Sequence, residues 1–273
     1  ITGDGNMLIK DSNINRNEAG REGGGLWNGA GEMLVYNSSI ENNVGLGNEA
    51  NRGGGGAFNN GGFLAFYDGC RIQDNAATGT SGSGGGILNN DGGRLEITGT
   101  RLARNSASRA GGGIEDTSDE SVVITNSVLS NNSTGAAPGN GGGLHVTGSA
   151  TITIRNTEVY ENTAASEGGG LWHGTGVMNV SNTTIRNNIA NGTTATEGGA
   201  GVFVLRGVLN VTDSEISGNR ATNGSASGGG LLLDSLSNAI LTNVTFRDNE
   251  AARAGGAIED NSRGSTIVQV VDC

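Results

Sequence analysis

One pattern of apolar and polar positions recurs along the chain: apolar, any, apolar, four residues, apolar, two residues, Asn. It starts at Met7, Met33, Ala65, Leu95, Val122, Ile152, Met178, Leu209 and Ala239. The second apolar position falls at Ile9, Val35, Tyr67, Ile97, Ile124, Ile154, Val180, Val211 and Leu241. The third falls at Ile14, Ile40, Ile72, Leu102, Leu129, Val159, Ile185, Ile216 and Phe246. Each pass ends on an asparagine: Asn17, Asn43, Asn75, Asn105, Asn132, Asn162, Asn188, Asn219 and Asn249. A variable loop and a glycine-rich run into an apolar residue then close the unit, as in Gly23-Gly24-Gly25-Leu26.

Apolar-any-apolar alternation predicts a short strand with one buried face. No segment carries the 3.6-residue period and caps of a helix. Three such strands per unit, each stacked on its counterpart in the next unit, predict an all-β, right-handed single-stranded parallel β-helix of about nine coils. At ~4.8 Å per coil the rod would be roughly 40 Å long. Glycine fits where coils approach too closely for a Cβ. The asparagine column reads as an inward-facing ladder, because Asn tolerates the left-handed conformation and bonds both backbone and the Asn above and below.

A longer period lies over the coils. Glu22 to Gly29 matches Glu167 to Gly174, and Arg109 to Asp116 matches Arg253 to Asp260. The loops between Asn and glycine run have lengths 5, 10, 8, 5 and 8, then 5, 9, 8 and 5. The chain thus reads as one β-helical domain, 1–273, made of a five-coil super-repeat with blocks about 1–145 and 146–273. Ile1-Thr2-Gly3 aligns with Val146-Thr147-Gly148, so the chain is expected to begin inside a coil, and it ends inside one at Val270 to Cys273. Continuation in a longer chain, or end-to-end self-association, is the expectation that follows.

Composition narrows the function classes. The 273 residues include 52 Gly and one Pro, and carry a formal charge of −11. With Lys10 the only lysine and no basic stripe, no nucleic-acid partner is expected. No apolar run reaches the ~18 residues of a membrane span.

The paired signatures, closest in Phe246-Arg247-Asp248-Asn249 and Gly255-Gly256-Ala257-Ile258, resemble the Phe-x-x-Asn and Gly-Gly-Ala-Ile repeats of the polymorphic outer-membrane proteins of chlamydiae. Other coils use Ile, Leu or Val for Phe and mostly Gly for Ala. The resemblance covers the whole chain and implies a secreted surface β-helix of the adhesin type. The membrane barrel of that family has no counterpart here.

The residues with chemistry are few. Glu115 and Asp116, with their super-repeat counterparts Glu259 and Asp260, are the candidates for a cation site, calcium being the ion carboxylates would take; a solvated corner is the plainer expectation. His145 and His173 lack partners at ligand spacing and are expected at the surface. Trp27 and Trp172, five coils apart, are expected to point outward as partner-binding anchors or to cover a loop. Cys70 and Cys273 lie too many coils apart to form a disulfide with each other, and Cys70 is expected to face the core. An ice-binding face is disfavoured because the outward positions beside the strands are chemically mixed. The expectation is an extracellular or cell-surface structural or adhesive rod without catalysis and without a cofactor, meeting a surface glycan or protein. The alternative is a carbohydrate-active β-helix, a polysaccharide lyase or glycoside hydrolase, or a carbohydrate-binding rod.

Overall fold

A computed structural model describes residues 2–136, 138–264 and 266–273. Ile1, on which the alignment of the first coil rests, lies outside the described residues. The described residues form a parallel β-solenoid whose strands pair with their counterparts in neighbouring coils, on both sides except at the two ends. Its walls are a 17-stranded sheet and two 9-stranded sheets, giving nine coils.

Each coil holds four strand segments where the sequence predicts three. The periodic template forms two of them, such as Glu32–Tyr36 and Ser39–Glu41, separated by a bend at Asn37 with φ 41°. A two-residue strand such as Val44–Gly45 follows, and then the strand after the glycine run, such as Ala57–Asn60. In the coils from Val208 and Asn238, the first two segments merge into single ten-residue strands. Apolar residues from the walls meet in one continuous core running the length of the rod.

The asparagine ladder is present in every coil. From Asn17 to Asn219, each Asn donates from Nδ2 to the Oδ1 of the next, at 2.9–3.0 Å. The same Oδ1 accepts the backbone N–H of the Asn before it, as between Asn132 and Asn162 at 3.0 Å. A ladder Asn also donates to a carbonyl of the preceding coil, Asn132 to Leu102 at 3.2 Å. The left-handed conformation belongs instead to the residue just before each ladder Asn, as at Asn131 (φ 56°) and Glu161 (φ 55°). That residue turns the corner and frees the Asn amide to point inward.

The glycine run is a backbone-on-backbone contact. Its first glycine turns through positive φ, as at Gly111 (62°), and a Cβ on the next, Gly112, would lie 2.5 Å from Ser133 O and 2.6 Å from Gly142 O. No side chain fits there without moving the neighbouring coil.

Two details correct the sequence reading. In the third coil the inward residues are Leu64 and Phe66, not Ala65 and Tyr67, because Met33 pairs with Leu64 and Val35 with Phe66. One extra residue in the following bend, where Gly69 takes φ 83°, restores the phase before Ile72. The seventh loop is also 10 residues long (189–198), not 9, because Gly199 rather than Gly198 takes the turn conformation with φ 58°. Gly53 and Gly198 then match at φ 139° and 132°, and the loop lengths repeat without exception.

Another ladder is made of hydroxyls at the bend between the first two segments. The backbone N–H of Thr100 donates to Ser127 Oγ, Ser127 to Thr157 Oγ1, and Thr183 to Ser214 Oγ, at 3.1–3.4 Å. Cys70 occupies this column in its coil, with Sγ donating to Tyr67 O at 3.1 Å, and Cys273 occupies it at the far end, accepting from Val244 N at 3.4 Å. Cys70 is buried as expected, and both cysteines are free thiols. Burial pushes the Cys70 thiol up, against backbone N–H donors that pull it down.

Candidate functional site

The strand after each glycine run sends successive side chains to opposite faces, so it builds two columns along the rod. The outer column reads Trp27, Phe58, Leu88, Glu115, His145, then Trp172, Phe203, Leu232, Glu259. The super-repeat is thus visible as one spatial row, Trp-Phe-Leu-Glu, interrupted once by His145.

This row is largely packed, which favours the second of the two expectations for the tryptophans, cover over a neighbouring loop. Trp172 is only 6% exposed, stacked on Phe203 at 5.8 Å and tilted against His145 at 4.3 Å. Its indole N–H donates to Glu167 Oε2 at 2.8 Å. Trp27 is half-buried, stacks on Phe58 at 6.3 Å and donates to Glu22 Oε2 at 3.1 Å. In both coils the carboxylate just ahead of the glycine run folds the ring down against the sheet. Neither ring stands free as an anchor.

His145 is also buried, 2% exposed, where a surface position was expected. Its Nδ1 lies 2.8 Å from Glu115 Oε2, and Arg109 Nη1 lies 3.2 Å from Glu115 Oε1. Asn140 donates to Glu167 Oε2 at 3.1 Å, and burial raises the Glu167 carboxyl above its usual range despite the bond from Trp172. The result is a closed polar centre in which the buried carboxylates already have donors.

The inner column reads Asn28, Asn59, Asn89, Asp116, Val146, His173, Val204, Leu233, Asp260. Its first four members form a second amide ladder, which the sequence reading missed. Asn28 donates to Asn59, Asn59 to Asn89, and Asn89 to Asp116, at 2.7–2.8 Å. Each Asn also holds the carbonyl of its own turn, Gly31, Gly62 or Gly93. The recurring Asn two residues after the apolar residue was its only signal. The ladder stops at Asp116, fully buried, whose Oδ2 has no partner. Burial pushes this carboxyl up to about 7, outweighing the bonds from Asn89 and Ser118, with Glu115 and Asp119 adding to the rise. His173, expected at the surface, is fully buried, and desolvation lowers its imidazole to about 4.

This placement separates the cation candidates. Glu115 and Asp116 are adjacent on one strand, face opposite ways and are both fully buried, so neither sits at a solvated corner. Glu259 is 2.6 Å from Arg253, while Asp260 accepts from the backbone N–H of Ser262 at 2.9 Å. Among the described residues no group of three or more His, Cys, Asp or Glu side chains is placed to hold a metal ion.

The open surface lies elsewhere, on the outer face of the large sheet in the first coils. A groove of about 370 Å³ crosses the turns of successive coils over a floor of Gly31, Gly61, Gly62 and Gly92, edged by Asp4, Glu32, Phe63, Arg94 and Glu120. The Arg94 guanidinium lies 4.7 Å from the Phe63 ring centre and 3.7 Å from Glu96. Farther along the same strands Tyr36 and Tyr67 are half-buried and pack on each other with ring centres 5.0 Å apart, and Lys10 lies 5.2 Å from the Tyr36 ring. The Tyr67 hydroxyl bonds Glu96, and burial with that carboxylate pushes the phenol up to about 12.

No helix among the described residues is long and apolar enough to cross a membrane. Comparison with curated proteins and with solved structures finds no match. A family model described as the right-handed β-helix region matches residues 55–228, more than half of the chain. With nine parallel coils stacked in register over that span and beyond it, the chain belongs to the right-handed β-helix family.

Proposed function

We propose that this chain is a non-catalytic, extracellular or cell-surface rod that works by adhesion, holding its flanks against a partner at fixed spacing. The observation that carries this reading is the unbroken asparagine ladder through all nine coils, joined to the closure of the richest polar centre. General acid–base work needs a titratable group within hydrogen-bond reach of a substrate proton. Glu115 and His145 instead meet each other out of solvent. The repeat resemblance to chlamydial surface proteins supports the same reading. Binding of a surface glycan or protein along the flanks, and stacking of further coils at either end, belong to it as partners; no cofactor does.

A carbohydrate-active β-helix is the second reading, favoured by the groove that Arg94 lines together with Glu32 and Glu120. Incubation with polysaccharides separates the two. Neutral, amino-sugar and uronic acid chains, with and without added calcium, are expected to yield no shortened or unsaturated products. Turnover that Glu32→Gln or Glu120→Gln abolishes would overturn the non-catalytic reading.

A further inference from the structure

We propose that Tyr36 and Tyr67 form an oxidative cross-linking site, at which a one-electron oxidant joins their rings as dityrosine and so staples the second coil covalently to the third. This modification site stands apart from the adhesive reading and needs no partner molecule bound to the rod.

The two rings are already paired for coupling. Tyr36 and Tyr67 are Cα partners in parallel strands of the large sheet, so their side chains leave it side by side, ~4.8 Å apart at the backbone. Their ring centres are 5.0 Å apart and the ring planes differ by 33°. Both lie half-buried on the outer face, within reach of an oxidant in solution. Lys10, from the preceding coil, lies 5.2 Å from the Tyr36 ring, which leaves Tyr67 as its one tyrosine neighbour. The protein has three tyrosines, and Tyr160 sits three coils beyond Tyr67, ~14 Å along the rod. At the matching positions the second block carries Ser181 and Thr212 in the same register, so the coil itself does not call for a tyrosine pair.

The oxidant is a haem peroxidase with hydrogen peroxide. It takes one electron from each phenol, and each phenol loses its hydroxyl proton. For Tyr67 the Glu96 carboxylate, which accepts the hydroxyl's hydrogen bond, is placed to receive that proton. The two phenoxyl radicals, each delocalised onto its ortho carbons, form one carbon–carbon bond between those carbons. Each bonded carbon then releases its hydrogen as a proton, and each phenoxyl oxygen regains one. Two hydrogens and two electrons leave the protein, and one peroxide is reduced to two waters. In-register stacking turns an encounter between two radicals into a reaction of neighbours held in contact. The linked residues belong to successive coils, so the staple constrains the unfolded chain as a disulfide does.

The experiment is oxidation of the purified chain with a haem peroxidase and hydrogen peroxide, after the exposed Cys273 thiol is capped with iodoacetamide so that it does not quench the radicals. Trypsin cleaves after Arg21, Arg52 and Arg71, which places Tyr36 and Tyr67 in separate peptides, 22–52 and 53–71. The monomer is expected to gain dityrosine fluorescence, and mass spectrometry to find those two peptides joined with the loss of two hydrogens. Tyr36→Phe and Tyr67→Phe keep the ring packing and should each abolish the monomer's signal, while Tyr160→Phe should leave it. The cross-linked monomer should also unfold at a higher urea concentration than the untreated chain. Absence of the joined peptides, dityrosine confined to dimers, or a monomer signal that survives Tyr36→Phe or Tyr67→Phe would overturn the site. A joined product that unfolds no later than the untreated chain would overturn its role as a staple.

Discussion

Asp116 ends an amide ladder with a carboxylate, and replacing it with asparagine should stabilise the rod as the pH rises. The folded carboxyl titrates at about 7 against an ordinary value of 3.8. At 1.36 kcal/mol per pH unit that gap is on the order of 4 kcal/mol held against the folded state once the group ionises. The sign follows from which state binds the proton more tightly. Folded Asp116 keeps its proton to higher pH, so its burial costs little below about 3.8. The cost then grows as the pH rises and is complete above about 7. In the Asp116→Asn variant the new side chain is nearly isosteric, never ionises, and offers the same acceptor to Asn89 Nδ2, now 2.7 Å from Asp116 Oδ1. Equilibrium urea unfolding of both proteins from pH 4 to pH 8.5 isolates this residue, because every other titrating group is common to both. The gap should open towards alkaline pH and approach roughly 4 kcal/mol. Parallel pH profiles for the two proteins, or a variant weaker at pH 8, would refute the reasoning.

Other perturbations follow from the same contacts. Asn132→Ala removes a rung that donates to Asn162 and Leu102 and accepts from Asn105, and should cost about 3 kcal/mol or more in denaturant unfolding because buried partners are left unpaired. Cys70→Ser fills the hydroxyl column with the residue found at Ser38 and Ser127, so its melting temperature should match or exceed wild type; a loss of several degrees would contradict the ladder assignment. Gly112→Ala drives a Cβ within 2.5 Å of a carbonyl and should cost more than the ~1 kcal/mol spread of ordinary strand substitutions, read from the urea midpoint. His173 titrates at about 4 when folded against 6.5 otherwise, so it resists protonation in the fold and withdraws stability as the pH falls from 6.5 towards 4. His173→Val, the residue of its column neighbours Val146 and Val204, should remove that acid sensitivity in melts across this range.

The closed centre at Glu115 and His145 bears on how the rod is built. It sits where the row of the first block gives way to that of the second, and the five-coil period sets His145 between Glu115 and Trp172. An apolar residue in place of His145 would leave Glu115 without its buried partner. The break between blocks is therefore chemically matched across the coil boundary, with Arg109 closing the other carboxylate oxygen.

By itself, the sequence determined the architecture. The spacing from apolar pair to Asn to glycine run is set by backbone geometry that every coil must share, so the nine coils, the parallel stacking and the inward ladder were readable from one period. The super-repeat was readable too, in the Trp, Glu and loop-length matches. What the tertiary structure decided was the environment of each departure from that period. Alternation gives the face of a side chain but not what lies against that face. Trp172 and His145 do point out of the core, yet loop-borne carboxylates and neighbouring coils cover them. The one-residue shift at Leu64 and Phe66 was hidden because Ala65 and Tyr67 satisfy the same alternation, and only pairing with Met33 and Val35 fixes the phase. The second amide ladder, the hydroxyl column that contains Cys70, and the groove beside Phe63 each join residues a full coil apart in the chain, brought together by the stacking of coils at ~4.8 Å.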